Sequence, residues 1–450
     1  MSDSYYGDSN KIRITYSNVE NFSERKFYMV YVINQNNEPL MPCTNVIARL
    51  LLKQGKAKCI KRTPFTIKLN YQSSGYIQDC ILGIDTGSGK IGSAVINEKN
   101  EVLYLSQVEI RNDITDKMTQ RSKYRRNRRN RKTRYRKARW TNRKNSIRKD
   151  RFSPTMTSKI DSHLKEINFV KSILPISKII LETATFDPHL MKNPMLYNEK
   201  YRKWGYQKGI NYGFANTKAY VLDRDKHTCQ HCKGKSKENR LEVHHIVFRR
   251  NGGSDEESNL ITLCKQCHDK LHSGVIKLKG GKAKGQLKHA TQMNSVRTQL
   301  LKRVNCEETF GFVTKEHRQL LDLPKEHYMD AVVIASQGNK VAFVNSNILF
   351  KKCVSDGDYQ QSKGVRSEQR IPTCKIQGFR KFDKVKYLGD EYFIKGRMST
   401  GFAILMDIEG NKIGFKNAPK GMKTPKMNNM KRVNARKSWI LQLRPLQFIS

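Results

Sequence analysis

Apolar and polar positions alternate over several short stretches of the first 110 residues, and this pattern predicts β-strands. Phe27–Ile33 and Phe65–Leu69 alternate in this way, and a helical stretch over Thr44–Gln54 lies between them and ends at Gly55. These elements predict a small N-terminal α/β domain. Three more strands, separated by turns rich in Gly, Asn and Lys, are predicted at Cys80–Asp85, Ile91–Ile96 and Val102–Ile110.

The same mixture of helices and strands continues to the end of the chain, which predicts an α/β multidomain protein. A helix is predicted at Thr155–Ile173, an apolar strand at Lys178–Glu182, and a strand-and-helix pattern at Phe310–Ala335. Beyond residue 351, short alternating stretches separated by turns predict a small SH3-like β-barrel. Its five strands are predicted at Lys384–Leu388, Glu391–Arg397, Gly401–Asp407, Lys412–Phe415 and Ser438–Leu443.

Residues 121–151 form a strongly basic segment that is compatible with one long helix. Lys and Arg occupy 17 of its 31 positions, and it contains neither Pro nor Gly. Because basic side chains surround such a helix, it has no apolar stripe to bury. A disordered basic tail is the alternative, but Tyr124, Tyr135, Trp140 and the mid-chain location favour a helix in a nucleic-acid groove. The candidate phosphate ligands are Arg121, Arg125, Arg126, Arg128, Arg129, Arg131, Arg134, Arg136 and Arg139.

The whole chain is basic, with 86 Lys and Arg against 40 Asp and Glu and a formal net charge of +46. This charge favours a polyanionic partner, since the chain otherwise repels itself. A membrane is not expected as that partner, because the sequence has neither a run of 18 apolar residues nor an amphipathic anchor. With no export signal, we expect a cytoplasmic protein, in which the ten cysteines favour metal ligation over disulfides.

Two CxxC pairs, Cys229 with Cys232 and Cys264 with Cys267, lie in a Cys- and His-rich stretch at 201–275. Four thiolates in two pairs are typical of a closed structural zinc site. The 31 residues between the pairs exceed the spacing of an ordinary zinc ribbon. A plain zinc finger is the alternative, but four cysteines already complete the zinc site and leave the nearby histidines without a structural task.

Those histidines resemble the HNH, or ββα-metal, nuclease family. The resemblance implies that His245 is the general base, that His244 and His268 hold one divalent ion, and that Asn259 orients the loop of the base. Phosphodiester hydrolysis needs such a base together with a cation at the developing charge. His272 follows His268 by four residues on the same helix face and is a candidate further ligand. Related guided nucleases have Asp where this chain has His244, so the choice between Mg²⁺ and Mn²⁺ stays open.

Three acidic residues lie at the ends of apolar segments: Asp85, Glu182 and, one helical turn after His327, Asp330. Each alone is equally typical of a capped strand or a solvated helix start. Together, in this order, they resemble the three RuvC segments of the ribonuclease-H-like fold. The resemblance implies that His327 and the three acids are catalytic and that the three acids hold two Mg²⁺ or Mn²⁺ ions.

The order of the segments resembles the IscB family, transposon-encoded relatives of the type II CRISPR effectors. An HNH module lies between the second and third RuvC segments, a basic helix follows the first, and Pro39-Leu40-Met41-Pro42 is the signature of a PLMP domain. The implied domains are a tail (1–22), PLMP (23–76), RuvC-I (77–117), an arginine-rich bridge helix (118–152), RuvC-II (153–200), HNH (201–275), a linker with RuvC-III (276–350), and a C-terminal barrel (351–450).

This resemblance implies an RNA-guided endonuclease that acts as a monomeric, nucleoid-associated ribonucleoprotein with a guide and scaffold (omega) RNA. HNH would cut the guide-paired strand of double-stranded DNA, and RuvC the displaced strand. The C-terminal barrel would contact either a target-adjacent motif or the RNA. Two alternatives remain: an RNA-independent HNH homing or restriction endonuclease, and an RNA-binding protein whose nuclease sites have decayed. A copurifying structured RNA and a cleavage assay distinguish the three.

Overall fold

The computed structural model describes residues 29–73, 75–131, 151–187, 190–191, 194–198, 200–202, 208–248, 253–278, 287–345, 347–355, 375–415 and 424–446. The chain has a mixed α/β, multidomain architecture with two compact units. The first unit combines Met1–Thr183 with Val304–Ser450, and the second is Ala184–Arg303. The predicted tail at 1–22 lies outside the described residues.

A small α/β domain opens the first unit, as the sequence predicts. Thr44 caps its helix by accepting a hydrogen bond from the Ile47 amide, and an apolar core including Val32, Ala48 and Ile67 closes it. Pro42 lies in an edge strand, where a missing amide proton costs little. The elements are β1 Met29–Ile33, β2 Pro39–Thr44, α1 Asn45–Lys53, β3 Ala57–Arg62 and β4 Phe65–Leu69, with the strand order β2-β1-β4-β3.

A seven-stranded sheet forms the centre of the first unit. Its strands are β5 Cys80–Asp85, β6 Lys90–Asn97, β7 Val102–Glu109, β8 Ile176–Thr183, β11 Glu307–Phe310, β12 Asn347–Cys353 and β17 Trp439–Pro445, in the order β11-β8-β5-β6-β7-β12-β17. β5, β6 and β7 are antiparallel neighbours, whereas β8 is parallel to β5 and β11 is parallel to β8. After α1, the described helices of this unit include α2 Ile114–Arg131, α3 Pro154–Lys171, α7 Gly311–Leu320 and α8 His327–Ser336, together with a 3₁₀ turn at Met427–Asn429.

Helix α8 packs against the sheet at two glycines that leave room for its backbone. A Cβ atom at Gly83 would lie 2.3 Å from the carbonyl oxygen of Ala331, and one at Gly92 only 1.8 Å from that of His327. Any larger residue would therefore push the helix away. Buried side chains such as Val332 and Ile96 complete the contact. This approach brings the first turn of α8 to the end of β5.

A fully buried ion pair connects α3 to β12 beneath the sheet. Lys351 Nζ donates to Glu166 Oε2 over 2.6 Å, and both side chains are fully buried. The other carboxylate oxygen, Oε1, accepts from the hydroxyls of Ser93 at 2.6 Å and Ser106 at 2.8 Å. The lysine also lies over the ring of Phe169, 3.9 Å from its centroid. A buried charge is tolerated only when it is paired and hydrogen-bonded in this way.

The basic segment begins as a helix, since α2 covers residues 114–131. It starts four residues earlier than the predicted bridge helix at 118. Arg121, Arg125 and Arg126 lie in α2 and are exposed, and Arg128, Arg129 and Arg131 belong to the same helix. The predicted ligands Arg134, Arg136 and Arg139 lie outside the described residues.

The C-terminal region forms a four-stranded antiparallel sheet around a separate core that includes Val385, Ile394 and Leu405. Its strands are β13 Lys384–Tyr387, β14 Asp390–Arg397, β15 Ala403–Met406 and β16 Lys431–Asn434, in the order β15-β14-β13-β16. The prediction for Lys412–Phe415 was wrong, because this stretch contributes only an isolated bridge to Met406. β16 was missed, because its sequence is too polar to alternate clearly.

The assignment of Ser438–Leu443 to the barrel was also wrong. The corresponding strand, β17, pairs antiparallel with β12 over seven residues of the large sheet. The reason is packing, since the Trp439 ring lies edge-on to Phe169 of α3, with 5.5 Å between centroids. The last described strand of the chain therefore belongs to the central sheet and not to the C-terminal one.

The second unit is built around a hairpin and a helix, and it extends beyond the predicted limits of 201 and 275. β9 (Leu241–His245) and β10 (Leu260–Cys264) are antiparallel, and α5 (Lys265–His272) follows β10 directly. The described elements of this unit also include the helices α4 Thr217–Arg224 and α6 Lys288–Arg303 and two 3₁₀ turns at Pro194–Tyr197 and Glu257–Asn259. Across both units, the described helices include none that is long and apolar enough to cross a bilayer.

Candidate active sites

Four cysteines come together at the base of the β9–β10 hairpin. The Sγ atoms of Cys229, Cys232, Cys264 and Cys267 all lie within 4.8 Å of one another. Hydrogen bonding from Ser236 lowers the pKa of the Cys232 thiol to about 6, and the Ser236 hydroxyl also lies 3.1 Å from Cys264 Sγ. A lowered pKa favours the thiolate, which is the form that binds metal. The geometry fits a tetrahedral zinc ion.

Three histidines form a second cluster, with ring nitrogens that lie within 4.8 Å of one another. His244 comes from β9, and His268 and His272 come from successive turns of α5. The position of His272, left open by the sequence, is thus beside the other two. Their ring centroids are 4.6–5.0 Å apart.

The His244 ring has a nitrogen atom that could ligate a cation. Its Nε2 atom is buried and has no hydrogen-bond partner among the described residues. The pKa of His244 is lowered to about 4, mainly by burial and also by the nearby His268 and His272. A neutral imidazole with a free nitrogen lone pair is the form that ligates a divalent ion. The three histidines therefore fit a metal site.

His245 lies next to this cluster but projects from the other face of β9, because neighbouring strand residues alternate. Its Nε2 atom is 2.7 Å from Asp255 Oδ1. The Asn259 side chain accepts from the Val247 amide at 2.9 Å and donates to the carbonyls of Val247 and Ser254 at 3.0 and 2.8 Å. Asn259 thus contacts the backbone of Val247 and of Ser254, two described residues that follow His245 in the chain.

Two acidic residues of this site were missed in the sequence. Glu242 lies two positions before His244 on the same face of β9, and its Oε2 atom is 3.1 Å from His268 Nδ1. The contact is short but is not a hydrogen bond, since His268 Nδ1 has no hydrogen-bond partner among the described residues. Strand alternation could have suggested Glu242. Asp255 gave no such signal, since it lies in a polar loop.

The predicted carboxylate site assembles at the end of β5 and β8 in the first unit. Asp85 and Glu182 are direct partners in the parallel β5–β8 ladder, and His327 Nδ1 lies 2.6 Å from Asp85 Oδ2. The pKa of Glu182 is raised to about 7, mainly by burial and also by the charges of Asp85 and Asp330, whereas a hydrogen bond from Thr314 opposes the rise. Burial and Asp85 likewise raise the pKa of Asp330. Buried acids this close together are stabilised by cations.

Two residues of α7 that face this site were not predicted from the sequence. Arg318 of α7 has its Nε atom 2.8 Å from Asp330 Oδ1. A Cβ atom at Gly311, the first residue of α7, would lie 3.0 Å from Glu182 Oε1. Both residues appear in the sequence as an ordinary helix start and an ordinary helical arginine, because nothing local marks their long-range contacts.

Two protein-family models match the chain. One is described as RRXRR protein and matches residues 30–205, and the other is described as HNH endonuclease and matches residues 229–274. The Type IV methyl-directed restriction enzyme EcoKMcrA of Escherichia coli (strain K12) is 37% identical over an alignment of 62 residues, and the match covers 12% of this chain and 22% of that protein. The match therefore spans about a fifth of the restriction enzyme.

Among solved structures, two crystal structures of Streptococcus thermophilus Cas9 were matched, both with a TM-score of 0.31. The complex with the AGAA PAM is 12% identical and covers 57% of this chain, and the complex with AGGA PAM is 14% identical and covers 50%. Each match covers 32% of the Cas9 chain. Likenesses at this level do not define an activity. An RRXRR segment followed by an HNH endonuclease segment in one chain fits an IscB-like protein.

Proposed function

We propose that the protein is an RNA-guided endonuclease that cuts the two strands of a DNA duplex at two separate sites. One observation carries this proposal: the unit with the HNH match is inserted between β8 and β11, so it separates Glu182 from Asp330 in sequence. Those two acids nevertheless belong to one carboxylate cluster, since the charge of Asp330 raises the pKa of Glu182. A chain organised in this way has two candidate centres with different chemistry.

In the HNH unit, His245 is proposed to take the proton from the attacking water. Asp255, at 2.7 Å from Nε2, would hold that nitrogen as the N–H donor and leave Nδ1 to accept the proton. Asn259 would keep the loop next to the base in place through its backbone contacts. His244, His268 and His272 would hold one divalent ion, with Glu242 beside His268.

In the first unit, Asp85, Glu182 and Asp330 would hold two Mg²⁺ or Mn²⁺ ions, and His327 would position Asp85. When bound, divalent ions at both centres supply positive charge for the phosphate and the leaving oxygen. The strand order β7-β6-β5-β8-β11, with three antiparallel strands and then two parallel to β5, supports the RuvC-like, ribonuclease-H-like interpretation of this unit. This site would cut the displaced strand.

The four cysteines are proposed to hold one structural zinc ion. Cys229 and Cys232 precede the hairpin, whereas Cys264 ends β10 and Cys267 lies in α5. A single zinc would thus tie the segment before β9 to the start of the helix that carries His268 and His272. Its role would be to fix the histidines in place.

The exposed basic side chains of the protein are the basis for proposing its nucleic-acid partners. The exposed arginines of α2 would bind the guide and scaffold (omega) RNA or its heteroduplex with the target strand. In the C-terminal sheet, Lys386 is the direct cross-strand partner of Lys431, and both are exposed. Like charges directly opposite are destabilising by themselves, so a phosphate group between them is the natural counterion. Whether this sheet contacts RNA or a target-adjacent duplex motif depends on contacts to bases.

The proposal is tested by the RNA that the protein carries. We expect a long structured RNA to copurify with it, and sequencing should separate a constant scaffold from a variable guide segment. Replacing the guide segment should redirect cleavage to the matching DNA. Cleavage that persists after RNA removal, or that ignores the guide, would instead support an RNA-independent restriction-type enzyme, the alternative favoured by the EcoKMcrA similarity.

A further inference from the structure

Two phenylalanines are exposed side by side at the start of α7. Phe310 is 42% and Phe312 70% exposed. Their rings are nearly parallel, at 6° and with centroids 6.1 Å apart. Most large apolar side chains of this unit are buried in its cores. Exposing a stacked aromatic pair to solvent costs free energy, and a binding partner that covers the rings would recover it.

The backbone that carries these rings borders the carboxylate site, as three contacts of the neighbouring residues show. Thr309 is the ladder partner of Glu182 in the β11–β8 pair. A Cβ atom at Gly311, between the two phenylalanines, would lie 3.0 Å from Glu182 Oε1. Thr314 hydrogen-bonds to the same carboxylate. The backbone of the aromatic pair is therefore adjacent to Glu182, a residue that the proposed function assigns to metal binding.

A basic side chain lies on the same face of α7 as Phe312. Lys315 follows Phe312 by three residues, which places the two side chains on one helical face, and Lys315 is exposed. An aromatic ring beside a basic side chain is the usual surface for single-stranded nucleic acid, where a base stacks and a phosphate is neutralised. A base in a duplex is already stacked on both sides, so this surface selects an unpaired strand.

We propose that Phe312, supported from behind by Phe310, is a stacking platform for one nucleobase of the single-stranded DNA that enters the carboxylate site. The inference rests on the proposed function and adds a binding subsite to it. The ring holds a base next to the scissile phosphate and thereby fixes which phosphate reaches Asp85 and Glu182. Phe312 touches the substrate and sets the position of the cut.

The test uses the full ribonucleoprotein and a target with each strand labelled separately. Phe312→Ala should slow cutting of the displaced strand about 5-fold to about 100-fold, the range for loss of one stacked base, and should spread the cut over neighbouring phosphates. Cutting of the guide-paired strand should not change. Phe312→Trp should restore the rate, and Leu320→Ala, which truncates a 75% exposed residue of the same helix, should have no effect.

Abasic sites identify the stacked base. They are placed one at a time along the displaced strand, and one position should slow the wild-type protein as much as Phe312→Ala does. At that position the variant and the abasic site should not be additive. The proposal is overturned if the Phe312→Ala variant cuts the displaced strand at the normal rate and position. It is also overturned if the slowing by an abasic site adds to the slowing by Phe312→Ala at every position tested. If the wild-type protein cuts neither strand, the proposed function itself fails.

Discussion

The imidazole of His327 lies 2.6 Å from the carboxylate of Asp85, 242 positions earlier in the chain. The contact exists because Gly83 and Gly92 let α8 rest directly on β5 and β6. It raises the pKa of His327, chiefly through the hydrogen bond to Asp85. The same cluster holds Glu182, with its pKa raised to about 7, mainly by burial. In the metal-free protein, both groups are thus stabilised in their protonated forms.

This predicts a pH-dependent stability for the metal-free protein. A group with a raised pKa in the folded state contributes stability below its unfolded value, about 4.3 for Glu, and loses it as pH rises through the folded value. Thermal stability should therefore fall between about pH 4.5 and pH 7.5. Mg²⁺ should restore it at the upper end, because the deprotonated carboxylates bind the ion. Thermal unfolding at a series of pH values measures this.

Glu182→Gln should remove most of that pH dependence, since an amide does not titrate in this range. Glu316→Gln, the same change at an exposed position of α7, serves as the matched control and should leave it intact. A pH profile identical in Glu182→Gln and wild type would show that Glu182 does not titrate in the way described.

The zinc site makes a prediction about metal content. Protein stripped of loosely bound ions should retain about one zinc per chain. Cys267→Ser should lose it and unfold the second unit at lower temperature, because the ion joins the segment before β9 to α5. Cys59→Ser, at an exposed cysteine outside the cluster, should retain the zinc. Elemental analysis decides the point, and a zinc-free protein with an intact second unit would refute the structural role.

The arginines of α2 should determine how RNA binding responds to salt. Changing Arg121, Arg125 and Arg126 to Gln should lower the affinity and reduce the slope of log K against log[salt] by about 2, since fewer counterions are released. Arg111→Gln is the control, because that guanidinium is paired with Asp113 at 2.9 Å. Filter binding over a salt series measures both. An unchanged slope would contradict a phosphate-binding role for the helix.

The buried pair of Lys351 and Glu166 should be important for stability. Lys351→Met leaves a carboxylate buried without its cation, which should cost about 3–5 kcal/mol. Adding Glu166→Gln should recover part of that loss, with a coupling free energy of about 0.5–3 kcal/mol. Urea unfolding of the two single variants and the double variant gives these values. If Lys351→Met were as stable as the wild type, the pair would have no stabilising role.

Much of the fold could be predicted from local pattern. The alternation at 65–69 and at 80–85 predicted β4 and β5 at the bounds that the structure has. The pattern failed where partners are distant in sequence. Ser438–Leu443 alternates as an edge strand of either sheet would, and only the packing of Trp439 against α3 assigns β17 to the large one. For the same reason, a deletion meant to remove the C-terminal sheet has to retain β17.

The candidate sites could be predicted where chemistry and spacing coincide. The CxxC pairs, the adjacent histidines and the helical repeat of His268 and His272 are local signals, and the structure brings the four cysteines together and His244 together with His268 and His272. Glu242, Asp255 and Arg318 were missed, because an acid in a strand, an acid in a loop and an arginine on a helix are common on any surface. Their meaning depends on which residue the fold brings opposite them.

The central claim is that the chain has two independent cutting sites, one for each strand of the DNA. The most direct measurement is strand-specific cleavage of a labelled duplex by the ribonucleoprotein. Asp85→Ala should abolish cutting of the displaced strand alone, and His245→Ala should slow only the guide-paired strand, by at least about 100-fold. Asp79→Ala and His227→Ala, at exposed positions outside both sites, should cut both strands normally. If either single change at Asp85 or His245 stopped both cuts, the two-site account would be contradicted.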